Sequence, residues 1–219
     1  MISVASAATS ISTALAIVGA ALLLLLSPAF VHVALDRAGS APYLGVSASE
    51  AHALSDRTIS ELLLGPGTFD FPRGEAGARF YDDAEASHLR DVRLVLQGFL
   101  VTVSVALVVL AGGLIRARHA AWLWRAVARG GLAVAAAFTV VGAFFVLAFD
   151  AAFTLFHEVV FPGGNWSFDP ATERLVQLYP MTFWELTSTV LGALAIAGGL
   201  LAWWLARARV AALSRGADG

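Results

Sequence analysis

The residues best suited to chemistry in this chain include a histidine beside a turn. His157 follows the apolar run 131–156 and precedes Glu158 and the turn-forming residues 162–165, Pro-Gly-Gly-Asn. Proline and glycine there end a helix, so the chain reverses direction just after His157. Because an imidazole titrates near neutral pH, this side chain is a candidate to accept and return a proton during group transfer.

His88 is the second candidate, and it lies at the start of a predicted long helix. A spacing of three residues places Glu85, His88 and Asp91 along one side of that helix. The apolar run 94–115 begins directly afterwards, so His88 lies at a membrane boundary, and the next apolar run returns to that boundary at His157. We therefore predict that two histidines distant in sequence meet in one site.

The composition identifies the solvent around the rest of the chain as a lipid bilayer. Of 219 residues, 58% are hydrophobic and 14% charged, and the mean hydropathy is +0.77, which is far from a soluble domain. A spanning helix needs about 20 apolar residues. Four runs qualify, and they predict an all-α integral membrane protein, a single domain (1–219) with a four-transmembrane-helix bundle and an outward-facing cap of short amphipathic helices and loops: 11–35, 94–115, 131–156 and 183–205.

The first apolar run is interpreted as a retained membrane anchor and not as a cleaved signal peptide. No basic residue precedes it. It is also longer than the roughly 7–15 residues of a signal peptide's apolar region.

Arginine distribution predicts the orientation. All 14 basic residues are arginine, and the link 116–129 carries several of them together with two tryptophans and no acid. The tail after residue 205 is basic as well. Since basic loops stay in the cytoplasm, we predict that both termini are cytoplasmic and that the segments 36–91 and 158–182 face outward.

The outward segment 36–91 has structure of its own. Residues 47–64 place leucine and isoleucine at helical spacings with acids between them, which predicts an amphipathic helix lying on the bilayer. Gly65-Pro66-Gly67 ends this helix, and residues 68–78 form a turn-rich stretch. A new helix begins near Asp83 and merges into the second span.

Several kinds of site are excluded or weakened by what the sequence lacks. It has no cysteine, hence no disulfide and no thiolate nucleophile, and it has no lysine for a Schiff base. No nucleic-acid-binding motif and no GxSxG hydrolase motif is present. Zinc bound by His88, Asp91, His157 and Glu158 stays an alternative, although no HExxH or HxH pattern supports it; we expect no metal and no cofactor.

Asp150 is a candidate supporting residue. It lies two helical turns before His157, and an acid inside the apolar zone costs about 2.5–3.5 kcal/mol. Such a side chain is expected to face the bundle interior beneath the histidine site.

Each of these residues also has a structural interpretation. Either histidine can be an amphipathic anchor at the membrane boundary, and Glu158 can be a solvent-exposed residue at the edge of the site. Asp169, directly before Pro170, suits a helix N-cap. The remaining histidines lack organised acidic neighbours in the sequence, and we interpret them as surface or interface residues: His32, His52 and His119.

Three segments resemble a known family, the bacterial lipoprotein intramolecular transacylases, which are four-span integral membrane proteins. They are residues 85–92 (EASHLRDV), 150–157 (DAAFTLFH) and 161–180 (FPGGNWSFDPATERLVQLYP). The resemblance implies an acyltransferase of the bacterial plasma membrane that works on diacylglyceryl-modified lipoproteins. It implies transfer of the sn-2 acyl chain to the α-amino group of the N-terminal cysteine, which gives the lyso form.

The resemblance implies that His157 and His88 form the catalytic pair. We predict His157 as the general acid and base, with His88 binding the oxyanion or sharing the proton. The other site residues fall into two groups. Asp91 and Glu85 are expected to orient or charge-stabilise His88, and Asn165 is expected to donate to the oxyanion. Further supporting residues are Asp150, Glu158 and Asp169, and the residues expected to bind substrate are Trp166, Trp184 and Arg93.

Two other functions remain open from the sequence. One is a non-catalytic protein that binds membrane lipids or lipoproteins in the same cleft, in which the aromatic residues matter and the histidines do not. The other is a metal-dependent membrane lipid hydrolase.

Overall fold

The computed structural model describes residues 3–73 and 78–215, so part of the predicted turn-rich stretch, 74–77, lies outside the described residues. Helices account for most of the described chain, with one two-residue antiparallel ribbon. The elements are α1 Val4–Leu25, α2 Pro28–Ala38, α3 Ser40–Leu44, α4 Ala48–Leu63, β1 Pro72–Arg73, β2 Ala78–Arg79, α5 Asp83–Ala117, α6 Ala121–Leu147, α7 Phe149–Val160, α8 Arg174–Leu178 and α9 Met181–Arg215.

Four helices among the described residues are long and apolar enough to cross a membrane, namely α1, α5, α6 and α9. The predicted fold class, an all-α integral membrane protein with four spanning helices, is thereby confirmed. The predicted start of a helix near Asp83 is confirmed as well, because α5 begins at that residue.

Two of the predicted spans were wrong at their C-terminal ends. The first stops at Leu25, because Ser27 caps a new helix by accepting a hydrogen bond from the Phe30 amide and Pro28 occupies its first turn. The third stops at Leu147, where Ala148 has non-helical backbone angles (φ −149°, ψ 61°) and α7 begins. Asp150 therefore lies in the first turn of a separate helix, where the helix dipole favours an acid.

The described residues group into two compact units, a division that the sequence did not indicate. The first unit comprises Met1–Leu23, Leu100–Phe144 and Thr189–Gly219, and the second comprises Leu24–Phe99 and Phe145–Ser188. Every candidate site residue belongs to the second unit.

Helices of the first unit approach one another at glycines. The Cα hydrogen of Gly130 faces the carbonyl oxygen of Ser10, and a Cβ at Gly131 would lie 2.5 Å from the carbonyl oxygen of Gly199. The Ser10 hydroxyl donates to the Ala126 carbonyl oxygen at 2.9 Å. Close backbone approach at small residues, with hydroxyls as hydrogen-bonding groups, is the packing expected of helices in lipid.

We expect Gly130→Ala to destabilise the protein by about 1–3 kcal/mol, because its methyl group overlaps the backbone and side chain of α1. Gly142→Ala in the same helix is the matched control, since a Cβ there has no neighbour within 4 Å and alanine favours helix. Thermal unfolding in detergent measures both. Equal melting temperatures for the two variants would contradict the close-packing argument.

The predicted amphipathic helix is α4, and Ser47 caps it by accepting a hydrogen bond from the Glu50 amide at 3.2 Å. Its inner face packs into the core of the second unit. Two hydroxyls on that face bond buried phenols: Ser55 to Tyr179 at 2.9 Å, and Thr58 to Tyr81 at 2.8 Å. Burial raises the pKa of Tyr179 to about 12, so this phenol stays protonated and stabilises the fold as a neutral hydrogen-bonding group.

The interpretation of His32 and His52 as side chains without acidic partners was wrong. Nε2 of His32 lies 2.8 Å from Oδ1 of Asp56, and Nε2 of His52 lies 2.8 Å from Oδ1 of Asp36. The two rings stack with their centroids 4.1 Å apart, so α2 and α4 are joined by two reciprocal pairs. The signal was present in the sequence, because each helix carries histidine and aspartate four residues apart.

Candidate active site

The rings of His88 and His157 lie side by side in the second unit, with centroids 6.1 Å apart. Their side chains come from α5 and α7, and both residues are buried, with 6% and 8% of their surface exposed. Phe161, just after the end of α7, contacts both rings at 4.9 and 5.7 Å between centroids. The prediction that two histidines distant in sequence come together is confirmed, and their catalytic role stays a prediction.

The tautomer of His157 follows from its hydrogen bond. Nδ1 lies 2.8 Å from the carbonyl oxygen of Phe153, one turn earlier on α7. A carbonyl oxygen only accepts, so Nδ1 carries the proton and Nε2 of the neutral ring carries the lone pair. Burial lowers the pKa of His157 below its ordinary value, which the Phe153 hydrogen bond opposes. The ring is therefore neutral at neutral pH.

Aromatic side chains enclose the His157 ring. Its centroid lies 4.0 Å from that of Phe153 and 5.1 Å from that of Trp166. The neutral imidazole thus sits in an apolar setting in which hydrogen bonds and charges act more strongly than in water. Trp166 lies beside the His157 ring, whereas Trp184 is 40% exposed and packs on Tyr179 and Phe183.

His88 has a buried nitrogen that is not satisfied. Its Nδ1 forms no hydrogen bond of normal geometry in the described part of the chain, although the Asn165 side chain lies close enough to interact with the ring. The ring packs against Phe161 and also against Phe168, and the ring centroids of His88 and Phe168 are 5.7 Å apart. A buried polar atom without a partner is uncommon in proteins and points to a ligand or to solvent at that position.

Asp91 forms a hydrogen bond with Asn165. Among the described residues it forms none with the ring of His88. Nδ2 of Asn165 donates to Oδ2 of Asp91 at 2.7 Å. This bond joins α5 to the turn after α7, which fixes the turn next to both histidines. Asp91 therefore orients Asn165 through this hydrogen bond, and it acts on His88 through its charge.

Glu85 supports the site through the backbone, in contrast to the expectation that it orients His88. It is 2% exposed, and its carboxylate accepts from the Asp82 amide at 2.8 Å and from the Leu175 amide at 2.6 Å. Asp82 in turn accepts from the Glu85 amide at 2.8 Å, so the two residues form a capping box at the start of α5. The same carboxylate ties α5 to the beginning of α8.

We expect Glu85→Gln to destabilise the protein by about 1–3 kcal/mol, because one carboxylate oxygen becomes an NH2 group facing a backbone N–H. Glu158→Gln is the matched control, since Glu158 is exposed and its loss of charge should change stability little. Thermal unfolding provides the comparison. An unchanged melting temperature for Glu85→Gln would show that the buried carboxylate does not hold these amides.

The remaining predicted site residues lie away from the two rings or have structural partners. Asp150 and Glu158 are exposed, which contradicts the expected interior position of Asp150. Asp169 starts a turn and not a helix, with Oδ1 accepting from the Ala171 amide at 2.9 Å. Nη1 of Arg93 donates to the Glu61 carbonyl oxygen and its side chain packs on Gly67, so it braces the end of α4; its contact with a substrate stays a prediction.

No group of three or more histidine, aspartate or glutamate side chains in residues 3–73 and 78–215 is arranged to hold a metal ion. The four side chains considered for zinc form no such group: Oδ2 of Asp91 accepts a hydrogen bond from Asn165, and Glu158 is exposed whereas both rings are buried.

Four apolar helices define an integral membrane protein, and the described residues include a buried pair of neighbouring imidazoles. A family model described as "Lipoprotein intramolecular transacylase Lit" matches residues 8–184. The chain belongs to this family, and it is therefore an acyltransferase that modifies lipoproteins. Family membership removes the non-catalytic alternative.

Solved structures resemble this one over almost its whole length. The membrane-integral lipoprotein intramolecular transacylase Lit from Bacillus cereus gives a TM-score of 0.78 at 18% identity, covering 94% of each chain. Two variants of that protein, in which one histidine is replaced by arginine or alanine, give 0.72 and 0.70 at 16% identity, covering 97% and 94% of this chain and 93% and 92% of theirs. At these identities the likeness supports the fold.

A relative by sequence is a protein from Aquifex aeolicus (strain VF5) described as "Uncharacterized protein". It is 25% identical over 160 residues, which are 72% of this chain and 71% of that protein.

Proposed function

We propose that this protein moves the sn-2 acyl chain of a diacylglyceryl-modified lipoprotein to the α-amino group of its N-terminal cysteine, and that His157 and His88 carry the proton traffic. The observation that supports this is the pair of buried rings 6.1 Å apart. One ring has its Nε2 available as a base, and the other has a buried Nδ1 in need of a partner.

The reaction needs no nucleophile from the protein. Amine and ester belong to the same substrate molecule, so holding them in one geometry supplies a large part of the rate. What remains is to remove one proton from the amine, to stabilise the negative charge on the ester oxygen, and to return one proton to the leaving alkoxide.

The steps balance with the residues present. The amine nitrogen attacks the ester carbonyl carbon, a C–N bond forms, and the carbonyl electrons move to the oxygen, while Nε2 of His157 takes a proton from the nitrogen. Nδ1 of His88 donates a hydrogen bond to the oxyanion. Collapse of the tetrahedral intermediate breaks the C–O bond, and the departing glyceryl oxygen takes the proton back from His157.

The proposed orientation follows from the arginines. Residues 118–120 link α5 to α6. This link and the C-terminal tail both lie among arginines, and basic segments stay in the cytoplasm. Both termini are then cytoplasmic, and the second unit with its histidines faces the outer side of the bacterial plasma membrane. There the acyl chains lie among membrane lipids while the cysteine reaches the site, and Trp166 and Trp184 are the proposed substrate contacts.

The test is mass spectrometry of a synthetic diacylglyceryl lipopeptide with different acyl chains at sn-1 and sn-2. The proposal predicts unchanged total mass, with fragmentation placing only the sn-2 chain on nitrogen. A mixture of deuterated and unlabelled substrates should give no crossover product. A parallel reaction with a chelator addresses the metal-dependent hydrolase, which would instead release free fatty acid and lose activity with the chelator.

The pH dependence of kcat/KM should show two titrating groups, the substrate amine and His157. The substrate amine must be neutral, and its ordinary pKa is about 7.7–8.0. Because burial lowers the pKa of His157, the base is protonated only below the ordinary imidazole value of about 6.5. Below the pKa of the amine, a plot of log kcat/KM against pH should therefore have a slope of one, and the slope should increase to two only below pH about 6.5. In His157→Gln the slope should remain one at all these pH values. A second limb at or above the ordinary imidazole value would contradict a buried base.

A further inference from the structure

A second buried polar atom in the same site lacks a partner. Like Nδ1 of His88, Oδ1 of Asn165 forms no hydrogen bond of normal geometry in the described part of the chain, although the Asn165 side chain lies close enough to the His88 ring to interact with it. Buried polar atoms are nearly always paired, so an exception at a functional site is expected to be paired by what binds there. The histidine nitrogen has a role in the reaction described above, whereas the amide oxygen does not.

The orientation of the Asn165 amide is fixed by chemistry. Its nitrogen lies 2.7 Å from Oδ2 of Asp91. An ionised carboxylate can only accept hydrogen bonds, so the nitrogen has to face Asp91 and the oxygen has to face away. The free end of this side chain is therefore an acceptor. The expectation that Asn165 acts as an oxyanion donor does not agree with this orientation, because an amide oxygen cannot donate.

We propose that Oδ1 of Asn165 accepts a hydrogen bond from the α-amino group that attacks the ester, and that Asp91 is a positioning residue that holds the amide in this orientation. The inference rests on the proposed function. A neutral primary amine carries two N–H groups. One proton passes to Nε2 of His157 as the C–N bond forms, and the other is free to bond Asn165, which aims the nitrogen lone pair at the carbonyl carbon.

The two unpaired atoms then match the two needs of the transition state. Nδ1 of His88 faces a developing negative oxygen, and Oδ1 of Asn165 faces a nitrogen whose N–H groups become more acidic as it bonds to carbon. Such groups are held ready before the reaction, so no reorganisation is needed when charge develops.

The test compares two lipopeptides that differ only at the amine: a primary amine and its N-methyl derivative, which has a single N–H when neutral. In the unaltered protein we compare the rate of the primary amine divided by the rate of the N-methyl amine. This ratio should exceed the same ratio for acyl migration without enzyme by about tenfold, the value of one hydrogen bond. In Asn165→Leu the ratio should fall to the non-enzymatic value. In Asp91→Asn it should be intermediate, because an amide at that position no longer fixes how Asn165 points.

The ratio is measured on one sample of each variant, so partial misfolding cancels from it. His119→Ala, at an exposed position in the first unit, is the control and should keep the ratio of the unaltered protein. An unchanged ratio in Asn165→Leu would overturn the inference. That result is expected if the N-methyl group of the substrate only clashes with the site, or if Oδ1 bonds the ring of His88 and not the amine. If the unaltered protein converts neither lipopeptide, the proposed function itself fails.

Discussion

Replacing His157 with alanine is expected to lower the rate of acyl transfer by about 10²–10⁴, the usual contribution of a positioned general acid–base residue. Nε2 is the lone-pair nitrogen because Nδ1 donates to the Phe153 carbonyl oxygen. Without the ring, the group proposed to take the amine proton is lost. The rate is read from the appearance of the N-acyl lipopeptide by mass spectrometry under single-turnover conditions.

His119→Ala is the matched control for this variant, since it removes an imidazole from an exposed turn and should leave the rate unchanged. His157→Gln separates a proton carrier from a hydrogen-bond donor, because glutamine keeps an N–H but cannot exchange a proton near neutral pH. We expect it to be as slow as the alanine variant. A rate within a few-fold of the unaltered protein would remove His157 from the mechanism.

The second large effect is expected at His88. Its alanine variant should lose about 10²–10³ in kcat, as for removal of one oxyanion donor, because its buried Nδ1 is the unpaired nitrogen next to His157. His88→Gln should recover part of this loss, since a side-chain N–H can still reach the oxygen. The KM of the lipopeptide should change little in both variants, as the interaction forms only in the transition state.

A double variant distinguishes one site from two independent contributions. His88→Ala combined with His157→Ala should cost much less than the product of the two single effects, because residues that act together in catalysis are not additive. Fully multiplicative losses would indicate that the two rings, although adjacent, serve separate steps. Melting temperatures of all variants show whether the buried rings also contribute to folding.

The membrane class, the four spanning helices and the start of several elements followed from the sequence by itself. These features depend on composition over about 20 residues or on contacts within one helical turn. Ser47 caps α4 through an amide three residues later, and Ser27 and Pro28 begin α2 by the same kind of local interaction. The two histidines were also found from sequence, because each stands where an apolar run meets polar residues.

The partners of the site residues were decided by tertiary structure alone. Asp91 meets Asn165 across 74 residues, and Glu85 meets the Leu175 amide across 90. In the sequence, Glu85 and Asp91 are equally spaced about His88, and spacing along one helix cannot show that both carboxylates are taken by other segments. The stacking of His32 on His52 likewise needs α2 and α4 to pack together.

The claim on which everything else depends is that the second unit folds so that one imidazole offers a lone pair and its neighbour a nitrogen that can donate a hydrogen bond. Sequence determines that such side chains exist at the edge of the apolar helices, because hydrophobic length and helical periodicity are local properties. Only the packed second unit decides which acids remain free to act, because a carboxylate forms its hydrogen bonds with whatever group long-range folding brings nearest.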